Sequence, residues 1–506
     1  MMEPDAPMTK PNILIVMTDH QRWDTVLPEN PCISPNIEAM AREGVRFDNM
    51  HAPMAHCCPA RASFMSGLYP SRHGVWNNVC NAFAINRGPH RDVRMFSEDL
   101  ADAGYDLAYC GKWHVSAYDD QTPKNYGWRE LMRYRGNIQD EGAKWEKIRA
   151  AAAMPDEEGD DVVIMPGYHC HRLYGAADGA PSSDERTTDL ALAELPRLAA
   201  GDKPWCLYVG WNSPHAPYVT DQKYIDMYDL DDTELPPSYA DDMEDKPDYY
   251  KKLRNRVFDQ LGDVGTREAI RHFRAMCTKI DHNFGRILEL LGKTGQKDDT
   301  MVIFCADHGD YVGDHGLFHK QVPSFRGAYR VPTVIRWPKG IKNPGRTVDD
   351  FFSLADFAPT FCELAGAQTD RYFTGRSFVP FLEDNRPDDW REEVCTQCEG
   401  TEQMFSQRMV VTHTHKYVYN GFGRDEFYDL QADPHEMVNL DSDPAYDDAK
   451  RDLVGRMWRF AYQEQDRLGS TQYIMVNTAQ WGPKEAFRGE KGQNVPPAHP
   501  NPNMSS

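Results

Sequence analysis

Continuous apolar runs alternate with amphipathic stretches through the first two-thirds of the chain. Uninterrupted runs of this kind predict strands buried on both faces, as in a parallel sheet. The predicted strands span residues 12–18, 45–47, 106–110, 205–211, 301–306 and 332–337. Helices are predicted over residues 34–42, 97–103, 185–198, 268–291 and 353–366. This alternation predicts an α/β fold with a large, mostly parallel sheet sandwiched by helices.

The pattern changes after about residue 375. Short strand-like segments at 393–398, 409–413 and 416–419 precede a helix predicted over 445–467. They indicate a smaller C-terminal α+β domain carrying an antiparallel sheet. We therefore expect a large domain over 10–375, a small domain over 376–470 and an extended tail over 471–506. Two long polar stretches, 117–183 and 219–262, are expected to be insertions outside the core that shape a pocket.

Composition limits the classes of partner. The chain has 506 residues and a formal net charge of -22, so neither nucleic acid nor an anionic membrane is an expected partner. No apolar run approaches the ~20 residues of a membrane span, and the N-terminal segment lacks a signal-peptide pattern. The twelve cysteines follow no disulfide framework. We expect a cytoplasmic protein with most cysteines as thiols.

Residues 57–67, CCPARASFMSG, contain the first candidate for chemistry. Pro59 suits the first turn of a helix, where its missing N–H costs nothing. Cys57 would then lie at the helix N-terminus, where backbone N–H groups favour a developing anion. Arg61, one turn further on, is expected to point back toward the same end and hold the oxygens of the nucleophile. On these residues alone, a buried cysteine before an ordinary helix explains the segment equally well.

Acidic and imidazole side chains follow two of the predicted strands. Asp19 comes directly after the first strand, and Asp307 with His308 follows the strand at 301–306. The carboxyl ends of parallel strands meet at one edge of a sheet, so these groups are expected to converge. Two carboxylates and an imidazole predict a divalent-metal site, with His20 as a fourth candidate ligand. Taken singly, each Asp-His pair could instead cap a turn.

Several of these segments together resemble one family. The Cys57 segment resembles the signature of the type I sulfatases, C-x-P-[S/A]-R-x-x-x-x-[T/S]-G. The segments around Asp19 and Asp307 resemble that family's two metal-binding segments, and residues 426–440 resemble its C-terminal motif. The resemblance runs from about residue 10 to 465. It implies the alkaline-phosphatase-like fold and hydrolysis of sulfate monoesters.

The resemblance also implies a modified nucleophile. In this family a maturation enzyme oxidises the first cysteine of the signature, here Cys57, to formylglycine, which hydrates to a diol. One diol oxygen attacks sulfur, and deprotonation of the other expels sulfate. The remaining expected roles are sulfate binding by Arg61, Lys112 and Lys320, release of sulfate by His114, protonation of the leaving group by His215, and lining of the pocket by Asn78.

One position departs from the family pattern and affects the metal. The family usually has Asp or Gln where this chain has His20. Sulfatases of this kind typically hold calcium, whereas two imidazoles would favour manganese or zinc. His20 could therefore contact either the metal or the substrate.

Two alternative functions stay open at this point. Phosphonate monoester hydrolases, which also act on phosphodiesters, share the signature but usually carry Tyr and Thr where this chain has Lys112 and His114 in GKWH, so the motif favours sulfate esters. The second alternative is an anion-binding protein in which Cys57 is never converted.

The sequence leaves the alcohol part of the ester open among aryl, choline and carbohydrate groups. Aromatic residues near the motifs could stack on such a group, and these are Trp76, Trp113, Tyr118, Trp211 and Tyr218. The expected partners are the small-molecule sulfate ester, the maturation enzyme and, through the C-terminal tail, a second copy of the chain.

Overall fold

The structure is a computed structural model of the chain. It describes residues 10–81, 84–134, 173–177, 179–320, 322–400, 405–421, 423–468, 476 and 478–483. Among these residues, no helix has both the length and the apolar character that crossing a bilayer requires.

The large sheet has eight strands in the order β10-β2-β9-β8-β1-β6-β3-β4. Its central strand β1 pairs in parallel with β6 on one side and with β8 on the other, and only β9 runs antiparallel to its neighbours. The strands within the described residues are β1 (Asn12–Asp19), β2 (Val45–His51), β3 (Asp106–Gly111), β4 (Arg129–Glu130), β5 (Tyr174–Ala176), β6 (Trp205–Pro214), β7 (Tyr218–Thr220), β8 (Thr300–Ala306), β9 (Thr333–Arg336), β10 (Arg346–Ser353), β11 (Val394–Glu399), β12 (Ser406–Val411), β13 (His415–Asn420) and β14 (Glu426–Asp429).

Helices cover the large sheet on both faces. The α-helices of the described residues are α1 (Pro35–Arg42), α2 (Cys57–Ser66), α3 (Pro70–His73), α4 (Phe96–Asp102), α5 (Ser183–Ala199), α6 (Gln222–Ile225), α7 (Asp248–Arg256), α8 (Gly262–Lys293), α9 (Arg326–Tyr329), α10 (Phe357–Ala365), α11 (Val379–Leu382) and α12 (Asp447–Gln463). Short 3-10 helices span Trp23–Val26, Pro123–Tyr126, Phe258–Leu261, Asp314–Gly316, Leu354–Asp356 and Pro444–Tyr446.

Strand β1 shows why its sequence is apolar at every position. Ile13, Ile15 and Met17 belong to one hydrophobic core, which α2, α4 and α10 cover. Leu14 and Val16 belong to the core on the opposite face, which α1, α5 and α8 cover. Successive side chains of a strand point to opposite faces, and both faces are buried here. The prediction of a parallel sheet sandwiched by helices is therefore confirmed.

A second sheet forms the C-terminal part of the fold. Strands β11, β12, β13 and β14 pair in sequence order and antiparallel. One face packs on α12, where Tyr417 and Phe427 meet Met457 and Trp458 in one hydrophobic cluster. The other face contributes to a cluster that also contains residues of α8 and α9. This confirms the predicted α+β segment with an antiparallel sheet.

Five strands were not predicted from the sequence, and these are the short β4, β5 and β7 and the longer β10 and β14. In β10 the pair Asp349 and Asp350 interrupts the apolar pattern, because β10 lies at the edge of the large sheet and is partly exposed. Charges on edge strands discourage pairing with other chains. In β14 the charged Glu426 is fully buried and accepts a hydrogen bond from Tyr250 Oη at 2.9 Å. The predicted helix over 445–467 is shorter than expected, since α12 begins at Asp447 and ends at Gln463.

The expectation that 219–262 lies outside the core was wrong. Tyr250 and Met243 of this stretch are fully buried, and Phe258 and Leu261 join the same hydrophobic cluster. The stretch at 117–183 lies largely outside the described residues. The domain limits at 375 and 470 stay predictions. Most of the tail also lies outside the described residues, but Trp481 packs against α12 and accepts a hydrogen bond from Trp458 Nε1 at 2.9 Å.

Candidate active site

The predicted site residues converge at one edge of the large sheet. Asp19 ends β1, Asp307 and His308 follow β8, and Lys112 follows β3. His215 follows β6, which lies between β1 and β3. These four strands are parallel, so their carboxyl ends form the crevice in which open α/β sheets bind ligands.

Cys57 is the first residue of α2, as the sequence predicted. All ten residues of this helix are buried, and Cys57 itself is 1% exposed. The N–H of Cys58 donates a hydrogen bond to Asn78 Oδ1 at 3.3 Å, which places Asn78 beside the helix start. The first N–H groups of the helix have no partner within the helix and favour negative charge at this end.

Three groups surround the sulfur of Cys57. Lys320 Nζ and His308 Nε2 each lie 3.3 Å from Cys57 Sγ, and Asp19 Oδ1 lies at 3.4 Å. Burial raises the pKa of Cys57, but the charges of Lys112, Lys320 and His308 and a hydrogen bond from His114 lower it well below its ordinary value. The site therefore stabilises negative charge on the side chain at position 57.

Asp19, Asp307 and His308 form a donor set that fits a divalent cation. His308 Nδ1 donates to Gly309 O at 2.8 Å, so Nε2 is the ring nitrogen that faces the Cys57 and Asp19 side chains and would give up its proton to ligate a cation. Burial and the nearby Asp19 carboxylate raise the pKa of Asp307 to about 6. A bound cation would relieve this repulsion between two buried carboxylates.

His20 lies inside the site and bonds to Asp310. Its Nδ1 donates to Asp310 Oδ2 at 2.9 Å, and its Nε2 faces the ammonium of Lys320. Tyr218 Oη donates to the same Asp310 oxygen at 2.9 Å. Asp310 was not singled out from the sequence, although it is the last residue of the D-H-G-D segment. It fixes the ring of His20, which lies close enough to Asp19, Cys57 and His308 to share a cation.

Arg61 has a different set of partners from the one we expected. Its Nε donates to Asp307 Oδ2 at 2.7 Å, and its Nη1 donates to Lys112 O at 3.0 Å and to Tyr208 Oη at 3.1 Å. Arg61 therefore orients a candidate metal ligand and the backbone at Lys112. Tyr208 was missed because it lies within the apolar run of β6, and nothing in that run marks it as functional.

Both predicted lysines point into the site. Lys112 Nζ forms an ion pair with Asp19, and Lys320 Nζ contacts the Nε2 atoms of His20 and His215, the latter at 3.4 Å. Burial opposes the charge on Lys112, but Asp19 and Cys57 raise its pKa. Burial also opposes ionisation of Asp19, while the charges of Lys112 and Lys320, and of His215 when it is protonated, lower its pKa to about 2.

The two predicted proton-transfer histidines have different partners in the site. His114 hydrogen-bonds to Cys57, and burial and Lys112 lower its pKa. His215 Nδ1 donates to Ala216 O at 2.5 Å, so its Nε2 faces Lys320; burial and Lys320 lower its pKa to about 4. His114 and His20 also have left-handed backbone, with φ of 52° and 66°. Sparsely populated backbone conformations of this kind cluster at functional sites.

Most of the aromatic residues considered for substrate stacking belong to the core. Trp211 and Tyr218 are fully inaccessible, and Trp76 and Trp113 are 2% and 4% exposed. Trp76 lies beneath the guanidinium of Arg408 at 5.5 Å. Tyr118 is the one of the five that is partly exposed.

Comparisons with known proteins agree with this geometry. The sulfatase family model matches residues 11–367, and a second family model, N-sulphoglucosamine sulphohydrolase, C-terminal, matches residues 313–463. The chain is 28% identical over 502 residues to a multifunctional alkaline phosphatase superfamily protein of Trinickia caryophylli, covering 90% of this chain and 96% of that protein. It is 29% identical over 462 residues to a choline-sulfatase of Rhizobium meliloti, covering 86% and 83%. A phosphonate monoester hydrolase of Agrobacterium radiobacter has the same fold, with a TM-score of 0.72, 24% identity and coverage of 90% and 96%.

The large sheet, its covering helices and the site at the carboxyl ends of its strands are those of the alkaline-phosphatase-like sulfatase fold. Among proteins of that fold, the chain belongs to the sulfatase family, since the family model matches well over half of its length. It is a sulfuric ester hydrolase.

Proposed function

We propose that the protein hydrolyses sulfate monoesters to inorganic sulfate and an alcohol, with a formylglycine at position 57 and a divalent cation. The position of Cys57 carries the proposal. Its sulfur lies within 3.4 Å of Lys320 Nζ, His308 Nε2 and Asp19 Oδ1, at the start of a buried helix. In the structure this sulfur stands where an oxygen of hydrated formylglycine would lie. That diol supplies a nucleophilic hydroxyl with a built-in route for expelling sulfate.

Two lysines support charge neutralisation at the reacting sulfate. Lys112 follows β3 and Lys320 lies in the connection between β8 and α9, and both lower the pKa of Cys57 against the effect of burial. Fixed cations of this kind stabilise the transition state without reorganisation. Asp19, Asp307 and His308, with His20 as a fourth candidate, would hold the cation. A cation held there, with calcium expected from the family, would supply Lewis-acid polarisation of the ester oxygens.

His215 and Lys320 support protonation of the leaving alcohol. In the substrate-free site, the nearby Lys320 charge keeps His215 unprotonated at Nε2, with a pKa of about 4. An anionic ester bound against Lys320 would cancel that charge and raise the pKa of His215. His215 Nε2 would then take up a proton from solvent and donate it to the leaving alcohol, while Lys320 Nζ, 3.4 Å away, keeps its charge on the sulfate.

His114 supports the second half of the reaction. It hydrogen-bonds to the side chain at position 57 and is unprotonated because burial and Lys112 lower its pKa. A neutral imidazole in this position can accept the proton that leaves when sulfate is expelled. Asn78, bonded to Cys58 N–H, would line the pocket beside the nucleophile.

The proposal also includes a maturation partner and a cellular compartment. A formylglycine-generating enzyme is required as a maturation partner. A cytoplasmic location fits the eleven cysteines of the described ranges, which are all unpaired thiols. Assembly through the C-terminal tail stays a prediction.

The direct test is mass spectrometry of the tryptic peptide that contains Cys57, from protein co-expressed with a formylglycine-generating enzyme. Conversion lowers the mass by ~18 Da, since CH₂SH becomes CHO. Cys57→Ala is the matched control, and it should keep the fold while losing at least about a thousand-fold in turnover. A persistent thiol together with full metal-dependent turnover would overturn the proposal.

The reaction class is tested on matched aryl esters. We expect a higher kcat/KM for the aryl sulfate than for the aryl phosphonate monoester or the phosphodiester. A preference for phosphonate with the converted enzyme would reassign the substrate class while leaving the nucleophile in place.

A further inference from the structure

A second cavity lies between the large sheet and the small sheet. It has a volume of about 210 Å³ and shares none of its lining residues with the cluster around Cys57. The end of β2, the start of α9 and β10 form one wall, and β12 and β13 form the other. Since β2 is antiparallel to β9 and β9 to β8, β2 ends at the same sheet edge as β1 and β8. Clefts at such edges and between packed units are preferred places for ligands.

His51, the last residue of β2, is a buried polar group without a partner at this cavity. Its side chain is 4% exposed, and neither ring nitrogen has a hydrogen-bond partner among the described residues. Burial, together with the charges of Arg330 and Lys416, lowers the pKa of His51 to about 3, so the ring is neutral. A neutral ring keeps one N–H donor that nothing accepts, and an unsatisfied buried donor is costly.

Arg330 brings an unpaired guanidinium to the same cavity. It lies directly opposite His51 in a β-bridge, and its Nε donates to Asp48 O. Within the described ranges, neither of its Nη atoms has a hydrogen-bond acceptor and no carboxylate forms an ion pair with it. The guanidinium instead lies flat on Trp23, 3.6 Å from the ring centroid. The Trp23 ring therefore holds the planar guanidinium in place and leaves its Nη atoms free to bind a carboxylate or a sulfate.

The charge of the cavity is positive, and part of its surface is apolar. Three basic residues line the cavity, Arg326, Arg330 and Lys416, compared with two acidic residues, Asp349 and Glu436. Glu436 is already engaged, because it pairs with Lys416 and accepts from Arg326 N–H at 3.0 Å. Phe351 of β10 supplies buried apolar surface to one wall, and Met409 and Val411 of β12 supply it to the other.

We propose that this cavity binds a small organic anion, with its charged group between Arg330 and His51 and its apolar body against Phe351, Met409 and Val411. The volume has room for about seven waters, at the ~30 Å³ that each occupies in the liquid. A single ring bearing one carboxylate or one sulfate fits this space. The anion would satisfy the His51 N–H and the free edge of Arg330 at once.

Calorimetric titration with benzoate tests the proposal, since benzoate combines one ring with one carboxylate. Benzamide is the neutral match, and inorganic sulfate is the anion without an apolar body. We expect saturable binding of benzoate, with both comparison molecules at least about tenfold weaker. No saturable benzoate binding up to about 10 mM would overturn the proposal. Equal affinity for inorganic sulfate would overturn the organic part and leave a simple oxyanion site.

Substitutions locate the binding. Arg330→Gln should weaken benzoate at least about tenfold, whereas Lys112→Ala and the exposed Arg42→Gln should leave it unchanged. The reverse result, loss in Lys112→Ala and retention in Arg330→Gln, would place the anion in the catalytic site and overturn the proposal. The ¹⁵N resonances of the His51 ring in the unsubstituted protein give a reading that no folding defect can affect. They should shift on titration with benzoate, and an unchanged ring during saturable binding would equally overturn the proposal.

Discussion

Arg61 Nε donates to Asp307 Oδ2 at 2.7 Å, and both side chains are at most 1% exposed. The pair links the nucleophile helix α2 to the end of β8 and holds a candidate metal ligand in place. Since the ions are buried, removing one partner leaves an uncompensated charge in the interior.

We expect Arg61→Met to lower the free energy of unfolding by roughly 3–5 kcal/mol. Urea unfolding monitored by tryptophan fluorescence measures this change. The double variant Arg61→Met with Asp307→Asn should recover part of the loss, because the unpaired carboxylate is gone. Purely additive losses in the double variant would show that the pair does not couple the helix to the strand.

Substitution of His114 separates the two halves of the reaction. His114→Asn removes the group proposed to accept the proton during sulfate release, while the sulfate-binding lysines remain. We expect turnover to fall about 10²–10⁴-fold, as for the loss of a general base. Intact-mass analysis during turnover should then show a protein species heavier than the hydrated formylglycine form by one SO₃ unit, ~80 Da.

The matched control for that experiment is His282→Asn, on the exposed side of α8. It should behave as the unsubstituted enzyme, with no heavier species. A slow His114→Asn enzyme without the added mass would place His114 before sulfate transfer instead of after it.

The metal preference depends on His20. His20→Gln keeps a donor for Asp310 and an acceptor for Lys320 but replaces an imidazole nitrogen with an amide oxygen. If His20 ligates the cation, the preference should move from manganese toward calcium, because oxygen ligands favour the harder ion. Chelator-treated protein is titrated with each metal, and the shift in melting temperature reports binding. An unchanged ratio of the two affinities would show that His20 contacts only substrate and Lys320.

Acid sensitivity should arise in part at His73, behind the nucleophile helix. Val75 N–H donates to His73 Nδ1 at 3.0 Å, so the ring proton is on Nε2, which lies 3.0 Å from Ser63 Oγ. Burial and the nearby His90 lower the pKa of His73 from 6.5 to about 3. Its neutral form therefore contributes stability that is complete above pH 6.5 and is lost as the pH falls toward 3. At ~1.4 kcal/mol per pKa unit, the loss has an upper bound of about 5 kcal/mol.

In the variant His73→Asn, unfolding should take up one proton fewer at acid pH, because the amide does not titrate. Its oxygen can still accept the hydrogen bond from Val75 N–H. Urea unfolding between pH 4 and pH 7.5 compares its slope with that of the unsubstituted protein. The same slope in both proteins would show that His73 is not a source of acid sensitivity.

The candidate site was largely predictable because strand ends are visible in the sequence. Asp19, Asp307 and His308 each follow an apolar run, and parallel strands bring their carboxyl ends together. The partners of these residues were not predictable. Arg61 was expected to face the nucleophile, but its choice of Asp307 and Tyr208 depends on how α2 packs against the sheet.

Buried polar residues also limited the prediction of the fold. Tyr250 lies in a stretch that reads as a polar insertion, yet its hydroxyl bonds to Glu426 on β14 and both groups are buried. Prediction from sequence places charged and polar residues at the surface. It therefore fails for a stretch whose polar groups are buried and hydrogen-bonded to one another. The same effect concealed β14, whereas β10 was missed because its acidic residues lie on a partly exposed edge strand.

The burial of Cys57 determines whether its thiol can be modified before or after folding. At 1% exposure on a helix with no accessible residue, its thiol is closed to another protein once the sheet has formed. Under the proposed conversion of Cys57, the maturation enzyme would act on the newly made chain, and its rate would compete with the rate of folding. Variants that fold faster would be less completely oxidised at Cys57. The active fraction of a preparation would therefore depend on the folding rate as well as on the presence of the modifying enzyme.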